Sequence, residues 1–351
     1  MKTPKSNTHP SLIAIERELK SHPFIAPKWF QNPHMQTVIS AVVPQMTLER
    51  IPVQRRFISL PDGSKLAADC SLQKTQDNTP TVIVLSGFEG YMQMRVSRFG
   101  SGMRAKLYKA GYNVIHLRQR GEGDTIHLTK SIGYMPDDLP IAFEEIASWG
   151  HNPIYVIAFS AGAYNLLFAL GKIGDKASTY LHGAVAVSAP LTTEETWEHI
   201  DKNPIYDWLF LKGYKQLILR RAKVDPPGTW DIEKLKRVKD KKEWADAFIH
   251  KWGHASNITT YEELNVQTDA LPLVPSIKVP SLIIHAKDDP ISPAAPFMRS
   301  LVQENPYILP FLTDYGGHCG FIMTKKKYGD IDQHWAQNRA LEFIRLLEAK
   351  R

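Results

Sequence analysis

The feature that most constrains the fold is a short apolar run that ends in one serine among small residues. The run is Pro153-Ile154-Tyr155-Val156-Ile157-Ala158-Phe159, followed by Ser160-Ala161-Gly162 and a helix-like segment that extends to Leu170. This pattern predicts a strand, a tight turn and a helix. Bulk two positions from a serine at such a strained turn would strike the neighbouring backbone, and Ala158 and Gly162 are small enough to avoid it.

A small-x-Ser-x-Gly turn alone is a weak signal, because a buried strand can also end in a small-residue turn without any chemistry. Two candidate partners strengthen it: Asp289 and His318 each lie on a loop that follows an apolar strand. The order Ser160, Asp289, His318 along the chain is the order of an α/β-hydrolase triad. In that arrangement, His318 takes the proton of Ser160 and Asp289 orients the imidazole.

The remaining strands indicate an α/β fold. Residues 55–60 and 65–70 flank the turn Pro61-Asp62-Gly63-Ser64 and predict an antiparallel hairpin. From residue 81 onward, apolar strands alternate with helix-like segments; the strands are 81–85, 113–117, 153–159, 183–189, 281–286 and 308–313. This alternation predicts a mostly parallel central sheet with helices on both faces. An amphipathic helix is expected near residues 12–19, a proline-broken irregular segment at 24–37, and a closing helix at 331–350.

Residues 190–275 interrupt the alternation with a long stretch of helical texture. We expect residues 1–351 to form a single domain in which 190–275 is a helical cap inserted over the strand ends. Its aromatic part, residues 205–214, either lines an acyl pocket or packs against the sheet. His250 and His254 have the i, i+4 spacing of a metal pair, but the adjacent glutamate of a zincin helix and a third ligand are missing, so no metal site is predicted.

The formal net charge of +7 is concentrated in one part of the chain. Residues 211–250 contain eleven Lys or Arg and six acidic residues, an excess of +5. Such a run is either a solvated helical face or a surface that attracts anionic lipid or an acidic substrate. We hypothesise a cap with an apolar inner face for an acyl chain and a basic outer face for anionic membrane surfaces, which includes Lys236, Arg237, Lys241 and Lys242. Nucleic acid is not expected as a partner, because no recognition motif accompanies the charge.

No cofactor is expected. Cys70 and Cys319 are the only cysteines, too few for a disulfide framework or a cysteine zinc site, which favours a reducing, cytoplasmic compartment. The Gly121-x-Gly123 pair lacks the third glycine of a dinucleotide fingerprint. The polar N-terminus does not resemble a signal peptide, and no apolar run reaches the roughly 18 residues of a membrane span.

An oxyanion hole is predicted from two backbone N–H groups. One belongs to Ala161, directly after the candidate nucleophile, and the other to Phe88 in the loop Ser86-Gly87-Phe88-Glu89-Gly90 after the strand 81–85. Read alone, this loop is equally consistent with a plain strand-to-helix turn.

Several motifs together resemble the YheT-like branch of the α/β-hydrolase superfamily, which also contains eukaryotic ABHD-type esterases and lipases. They are Asn32-Pro33-His34-Met35-Gln36-Thr37, Ser86 to Gly90, Ala158 to Gly162, Ala286-Lys287-Asp288-Asp289-Pro290 and Gly316-Gly317-His318-Cys319-Gly320-Phe321. The resemblance implies hydrolysis of carboxylic esters, with medium-chain or glyceride esters as substrates and no cofactor. It also implies that Asp289, not its neighbour Asp288, is the triad acid, because the family's acid lies four residues before a proline, here Pro293.

The chain departs from the family pattern near the predicted nucleophile. Ser86 stands where the family has histidine, Ala158 where it has glycine, and Tyr164 where it has asparagine. The expected activity is that of a serine esterase or lipase. The alternatives are an acyltransferase or thioesterase that uses the same triad, and a non-catalytic binding protein on the same fold.

Overall fold

A mixed sheet carries the predicted site residues at the ends of its strands. A computed structural model describes residues 9–43, 51–74, 79–88, 99–132, 136–249, 258 and 260–351. The strands in this part of the chain are β1 (Gln54–Ser59), β2 (Lys65–Ser71), β3 (Thr81–Leu85), β4 (Asn113–Arg118), β5 (Ile154–Phe159), β6 (Gly183–Val187), β7 (Ser281–Ala286) and β8 (Ile308–Thr313). They pair in the order β1-β2-β4-β3-β5-β6-β7-β8. Only β2 pairs antiparallel with its neighbours, which confirms the predicted, mostly parallel sheet.

The predicted hairpin is confirmed, and local chemistry explains its turn. The Asp62 Oδ1 atom accepts a hydrogen bond of 2.9 Å from the Ser64 backbone N–H, which closes the turn between β1 and β2. Gly63 adopts φ = +82°, a conformation that side chains with a Cβ rarely adopt.

Helices cover both faces of the sheet. Their bounds are α1 (Pro10–Ser21), α2 (Pro33–Val42), α3 (Phe99–Lys109), α4 (Asp138–Ser148), α5 (Ala161–Ile173), α6 (Thr193–Asp201), α7 (Pro204–Arg221), α8 (Ile232–Arg237), α9 (Lys241–Phe248), α10 (Tyr261–Gln267), α11 (Ser300–Gln303) and α12 (Trp335–Glu348). Alternate residues of β3 enter two different cores: Ile83 and Leu85 pack with α4 and α5, whereas Val82 and Val84 pack with α1, α3 and α12. A strand buried on both faces is mostly apolar, as β3 is from Val82 to Leu85.

The expectation of an irregular segment at residues 24–37 is wrong in its second half. After a short 3₁₀ turn at Lys28–Phe30, the helix α2 begins at Pro33. The Asn32 side chain accepts a 3.0 Å hydrogen bond from the Met35 N–H and caps the helix. Asparagine at the cap and proline at the first helical position are favourable helix starts. The proline was therefore a start signal and not a break.

The segment between β6 and β7 contains the helices α6 to α10 and has its own apolar core. This core includes Leu211, Tyr214 and Leu217 of α7 together with Trp244 and Phe248 of α9. The helical texture predicted for residues 190–275 therefore agrees with the helices described there, while their action as a cap stays a prediction. His250 and His254, like Glu89 and Gly90, lie outside the described residues.

The basic outer face predicted on this segment needs one correction. Lys241 is buried, and its ammonium group hydrogen-bonds the carboxylates of Asp201 and Asp207. Lys236 and Lys242 are exposed, but each forms an ion pair of 2.7 Å with a glutamate of the same segment. A count of charges along the sequence cannot show which acidic residues fold onto which lysines.

Candidate active site

Ser160 lies at the sharp turn between β5 and α5. Its backbone angles are φ = 51° and ψ = −123°, which are strained for a residue with a side chain. A Cβ atom on Gly162 would lie 2.3 Å from the Ser86 carbonyl oxygen, so only glycine fits there. The neighbouring Ala158 is fully buried. The strand, turn and helix predicted around Ser160 are all present.

The structure brings the three predicted triad side chains into one hydrogen-bonded array. The distance from His318 Nε2 to Ser160 Oγ is 2.8 Å. On the other side of the imidazole, His318 Nδ1 lies 2.9 Å from Asp289 Oδ2 and 3.1 Å from Asp289 Oδ1. Asp289 follows β7 and His318 follows β8, so both come from the carboxyl edge of the sheet, where α/β folds assemble their sites.

The electrostatics of this array favour an ionised Asp289 and stabilise the protonated form of His318 that arises when the imidazole accepts a proton. Burial alone would raise the pKa of Asp289, but the nearby His318 and hydrogen bonds hold that pKa below its usual value. Burial would also lower the pKa of His318, but the charge of Asp289 raises it well above its usual value. The Asp289 carboxylate is fixed further by N–H donors from Ile291 at 2.8 Å and Ser292 at 2.9 Å. An imidazole that takes a proton from serine is therefore stabilised in place.

Asp288 has a different environment from its neighbour Asp289. Its Oδ1 atom accepts a 2.9 Å hydrogen bond from the Gly317 backbone N–H. Burial raises the pKa of the Asp288 carboxyl group. Asp288 thus contacts the backbone of the loop that carries His318, and Asp289 contacts the imidazole.

The two predicted oxyanion residues, Phe88 and Ala161, line the same cavity as Ser160. Ala161 is the first residue of α5, where a backbone N–H has no acceptor within the helix. The loop before Phe88 is held by Gln119, whose Nε2 donates to the Ser86 carbonyl at 3.2 Å. Asn165 of α5 in turn donates a hydrogen bond to the Gln119 side-chain oxygen. Sequence reasoning missed Gln119 and Asn165, because nothing in their local sequence indicates a shared contact.

An apolar cavity of about 130 Å³ opens beside Ser160. Its walls come from the turn after β5, the loop after β3 and the helices between β6 and β7; the lining residues are Phe88, Ser160, Ala161, Tyr164, Pro190, Thr193, Thr196, Trp197, Ile200, Phe210, Tyr214, Trp244, Ile249, Leu264, Thr268 and Ile291. No residue among those described in this lining carries a charge. Tyr164 is positioned by a 2.8 Å hydrogen bond from its hydroxyl to the Thr268 carbonyl.

Ser86, where the family has histidine, does not direct its hydroxyl to Ser160. The Ser86 Oγ atom instead lies 2.7 Å from Nε2 of His116, a buried residue of the neighbouring strand β4. Burial lowers the pKa of His116 well below its usual value, so this imidazole is neutral. The Ser86 hydroxyl is therefore part of the packing behind the loop that carries Phe88.

One other reactive side chain, the thiol of Cys319, lies beside the His318 imidazole and contributes to the raised pKa of His318. Cys319 is buried in the core that contains α12, and neither Cys319 nor Cys70 forms a disulfide. Among the described residues, one group has atoms spaced for a metal ion: Glu18, His22 and Glu342. It joins α1 to α12, and the His22 Nδ1 atom already lies 2.7 Å from a Glu342 carboxylate oxygen.

Comparisons with known proteins agree with the fold. A family profile described as "Serine aminopeptidase, S33" matches residues 76–306. YheT of Escherichia coli (strain K12) is 30% identical, covering 93% of this chain and 94% of YheT. Phospholipase ABHD3 of Homo sapiens is 25% identical, covering 77% of this chain and 68% of ABHD3. Among solved structures, the Pyrococcus furiosus esterase Pf2001 matches with a TM-score of 0.52 at 17% identity, covering 92% of this chain and 97% of that chain. As its motifs predicted, the chain has the α/β-hydrolase fold and belongs to the YheT-like branch of that superfamily.

Proposed function

We propose that the protein is a serine hydrolase that cleaves carboxylic esters with medium-chain or glyceride-type acyl groups. The observation that carries this proposal is the hydrogen-bonded array of Ser160, His318 and Asp289 at the wall of an apolar cavity. The names of two relatives support ester hydrolysis: YheT is named as a "putative esterase", and ABHD3 is named as a phospholipase.

In the proposed mechanism, His318 Nε2 accepts the hydroxyl proton as Ser160 Oγ attacks the ester carbonyl. The N–H groups of Phe88 and Ala161 stabilise the oxyanion of the tetrahedral intermediate. His318 then donates its proton to the departing alcohol, which leaves an acyl group on Ser160. Water, activated by the same imidazole, releases the carboxylic acid and restores the serine.

The cavity supports an acyl chain better than a peptide amine. An aminopeptidase must bind a charged α-ammonium group, which is costly to bury without a partner of opposite charge. The described lining offers none. A cavity of about 130 Å³ is close to the roughly 150 Å³ of an apolar cavity that admits benzene, so it has room for several carbon atoms of an acyl chain.

The proposal is tested with the full chain and a series of p-nitrophenyl esters, beside an amino-acyl p-nitroanilide. We expect ester hydrolysis with a maximum at medium chain length and no comparable amidase activity. A fluorophosphonate probe should label the protein at the peptide that contains Ser160. The absence of both hydrolysis and labelling would instead support a non-catalytic binding protein. Product analysis with added alcohol distinguishes hydrolysis from acyl transfer, and an acyl-thioester substrate tests for a thioesterase.

Replacement of Phe88 by proline is expected to lower kcat by about 100-fold or more, because proline has no N–H to donate to the oxyanion. The Phe88 ring also packs against Phe210 and Tyr214, so a loss of packing must be separated from a loss of the donor. Phe88→Leu is the matched control, since it removes the ring and keeps the N–H. If folded Phe88→Pro turns over at nearly the normal rate, Phe88 is not a donor.

The proposed function includes reversible docking of the protein on anionic lipid surfaces. Two neighbouring helices expose large apolar side chains: Ile205 and Trp208 on α7 are 72% and 58% exposed, and Val38 on α2 is 60% exposed. The helices meet where His34 Nδ1 lies 3.0 Å from the Tyr206 hydroxyl. These exposed apolar side chains support docking independently of the predicted basic face, from which the buried Lys241 has to be removed.

Cations accompany this apolar surface. The Lys212 ammonium lies 4.6 Å from the centre of the Trp208 ring, and Lys202 is exposed in the turn between α6 and α7. Amphipathic indole rings and lysines together favour the interface of an anionic bilayer, where each basic residue contributes about 1 kcal/mol.

Sedimentation with vesicles tests the docking. We expect binding to anionic but not to neutral vesicles at low salt, reversed by added salt. Trp208→Ser should weaken binding, whereas Val266→Ser should not, although Val266 of α10 is 79% exposed. Neutralising Lys236, Arg237 and Lys242 tests the basic face that the sequence indicated. If nothing sediments with anionic vesicles at low salt, the charge serves solubility only.

A further inference from the structure

The loop that carries His318 has an unfavourable backbone conformation at several residues. Gly317, Cys319 and Phe321 all have positive φ values, of 57°, 58° and 49°. For the two residues with side chains this conformation is unfavourable, and it persists only where the surrounding structure imposes it. Something outside the loop must therefore fix the backbone on both sides of His318.

Side chains from three separate parts of the chain accept hydrogen bonds from this loop. The Gly317 N–H donates to Asp288 Oδ1 at 2.9 Å, and the Cys319 N–H donates to Ser188 Oγ at 3.0 Å. Between them, the N–H of His318 itself donates to Thr37 Oγ1, also at 2.9 Å. Asp288 and Ser188 follow strands of the sheet, but Thr37 lies on α2, near the N-terminus.

Thr37 is well suited to accept this bond. The Thr37 hydroxyl donates a hydrogen bond of 2.8 Å to the Pro33 carbonyl, one turn earlier in α2. The lone pairs of the same oxygen can therefore accept the His318 N–H. The neighbouring Gln36 is buried and holds the end of the same loop: its Oε1 accepts from the Ile322 N–H at 2.9 Å, and its Nε2 donates to the Ile322 carbonyl at 3.2 Å.

The loop also packs closely on the α2 backbone. A Cβ atom on Gly317 would lie 2.5 Å from the Pro33 carbonyl oxygen, and one on Gly320 would lie 2.7 Å from the Gln36 carbonyl oxygen. Two motifs far apart in sequence, Asn32 to Thr37 and Gly316 to Phe321, therefore form one packed unit.

We infer that Thr37 is a positioning residue for His318: its side-chain oxygen fixes the backbone N–H of His318 so that the imidazole meets both Ser160 and Asp289. The inference rests on the proposed function, because positioning matters only if His318 acts as the base. Its physical reason is that a displacement of about 1 Å in a reacting group can lower the rate roughly 100-fold.

The test compares three single variants of the full chain. Thr37→Val removes the acceptor at nearly constant volume, and Thr37→Ser keeps it. Ser40→Ala is the matched control, because Ser40 is a buried hydroxyl of the same helix whose bond, 2.8 Å to the Thr37 carbonyl, stays within α2. We expect Thr37→Val to lower the rate of fluorophosphonate labelling by about 10- to 100-fold. The labelling rates of Thr37→Ser and Ser40→Ala should stay within about threefold of the wild-type rate, because neither change should displace His318 by more than a small fraction of an ångström.

The pH dependence of labelling provides a readout that a purely structural role would not change. Burial lowers the pKa of His318, whereas Asp289 and the Cys319 thiol raise it. A looser contact between His318 and Asp289 should therefore move the acid limb of the labelling profile to lower pH in Thr37→Val. Thr37→Ser should restore the wild-type profile. Equal labelling rates and profiles in Thr37→Val and the wild type would overturn the inference.

Two further measurements distinguish a local effect of Thr37 on the His318 loop from an effect on the rest of the protein. Amide hydrogen exchange should become faster at residues 316–322 in Thr37→Val but stay unchanged in β5, and this readout does not need activity. Unchanged exchange in the loop overturns the inference even if the protein proves inactive, whereas a wild type that never labels overturns the proposed function alone. The Tyr206 side chain of α7 also lies near Thr37, which lowers the pKa that burial raises at the Tyr206 hydroxyl. If Tyr206→Phe reproduces the losses of Thr37→Val, the effect comes from α7 and the inference fails.

Discussion

Ser160→Ala is expected to lower kcat/KM for ester hydrolysis by roughly 10⁶-fold and to abolish labelling by the fluorophosphonate probe. The substitution removes the atom that attacks the ester, while the alanine Cβ keeps the backbone of the turn. The expected loss is large because His318, 2.8 Å from Ser160 Oγ, then has no hydroxyl to activate. Residual hydrolysis above the uncatalysed rate should remain, since the oxyanion donors and the cavity are unchanged.

The matched control for this variant is Ser281→Ala. Ser281 is also a buried serine of the central sheet, but it begins β7 at the end opposite to Asp289, and its hydroxyl donates to the Val279 carbonyl at 2.7 Å. We expect this variant to hydrolyse esters at close to the normal rate. Comparable turnover by Ser160→Ala and wild-type protein would rule out Ser160 as the nucleophile.

Asp289→Asn is expected to lower kcat/KM by roughly 10⁴-fold with little effect on stability. An asparagine amide donates a hydrogen bond to His318 Nδ1, which leaves the proton on Nε2 and prevents that nitrogen from accepting the proton of Ser160. The asparagine oxygen can still accept the N–H groups of Ile291 and Ser292, so the loop should keep its shape. Kinetics and a thermal melt of the same preparation separate the two effects.

Asp288→Asn makes the same chemical change one residue earlier and should cost far less activity. Its oxygen can still accept the Gly317 N–H, the contact that Asp288 makes now. The pair of variants therefore distinguishes a carboxylate that orients the imidazole from one that holds the loop. If Asp288→Asn abolished hydrolysis and Asp289→Asn spared it, the assignment of the triad acid would be reversed.

Much of the fold was predictable because its signals are local. A strand buried on both faces is largely apolar, so the apolar runs of β3, β5 and β7 are visible in the sequence. The turn at Ser160 requires small neighbours, and the turn at Gly63 requires a positive φ. The order of Ser160, Asp289 and His318 along the chain added a long-range expectation to these local ones.

Contacts between distant segments could not be predicted in the same way. Lys241 was predicted to be part of a basic surface, but it is buried and hydrogen-bonded to two aspartates from other helices. Gln119 holds the loop before Phe88 only because β4 and β3 are neighbours in the sheet. Likewise, Asn32-Pro33 could be read as the start of a helix, yet its sequence does not reveal what that helix contacts.

By itself, then, the sequence determined the strands of the sheet and most of the helices, the serine turn and the set of residue types from which a triad can form. These follow from backbone sterics and from the periodicity of burial, which act over a few residues. Only the tertiary structure decided that Asp289 and not Asp288 contacts His318, and that Thr37 accepts the His318 N–H from a helix 281 residues away. Hydrogen bonds depend on distances of a fraction of an ångström between segments, and the folded packing of the whole chain sets those distances.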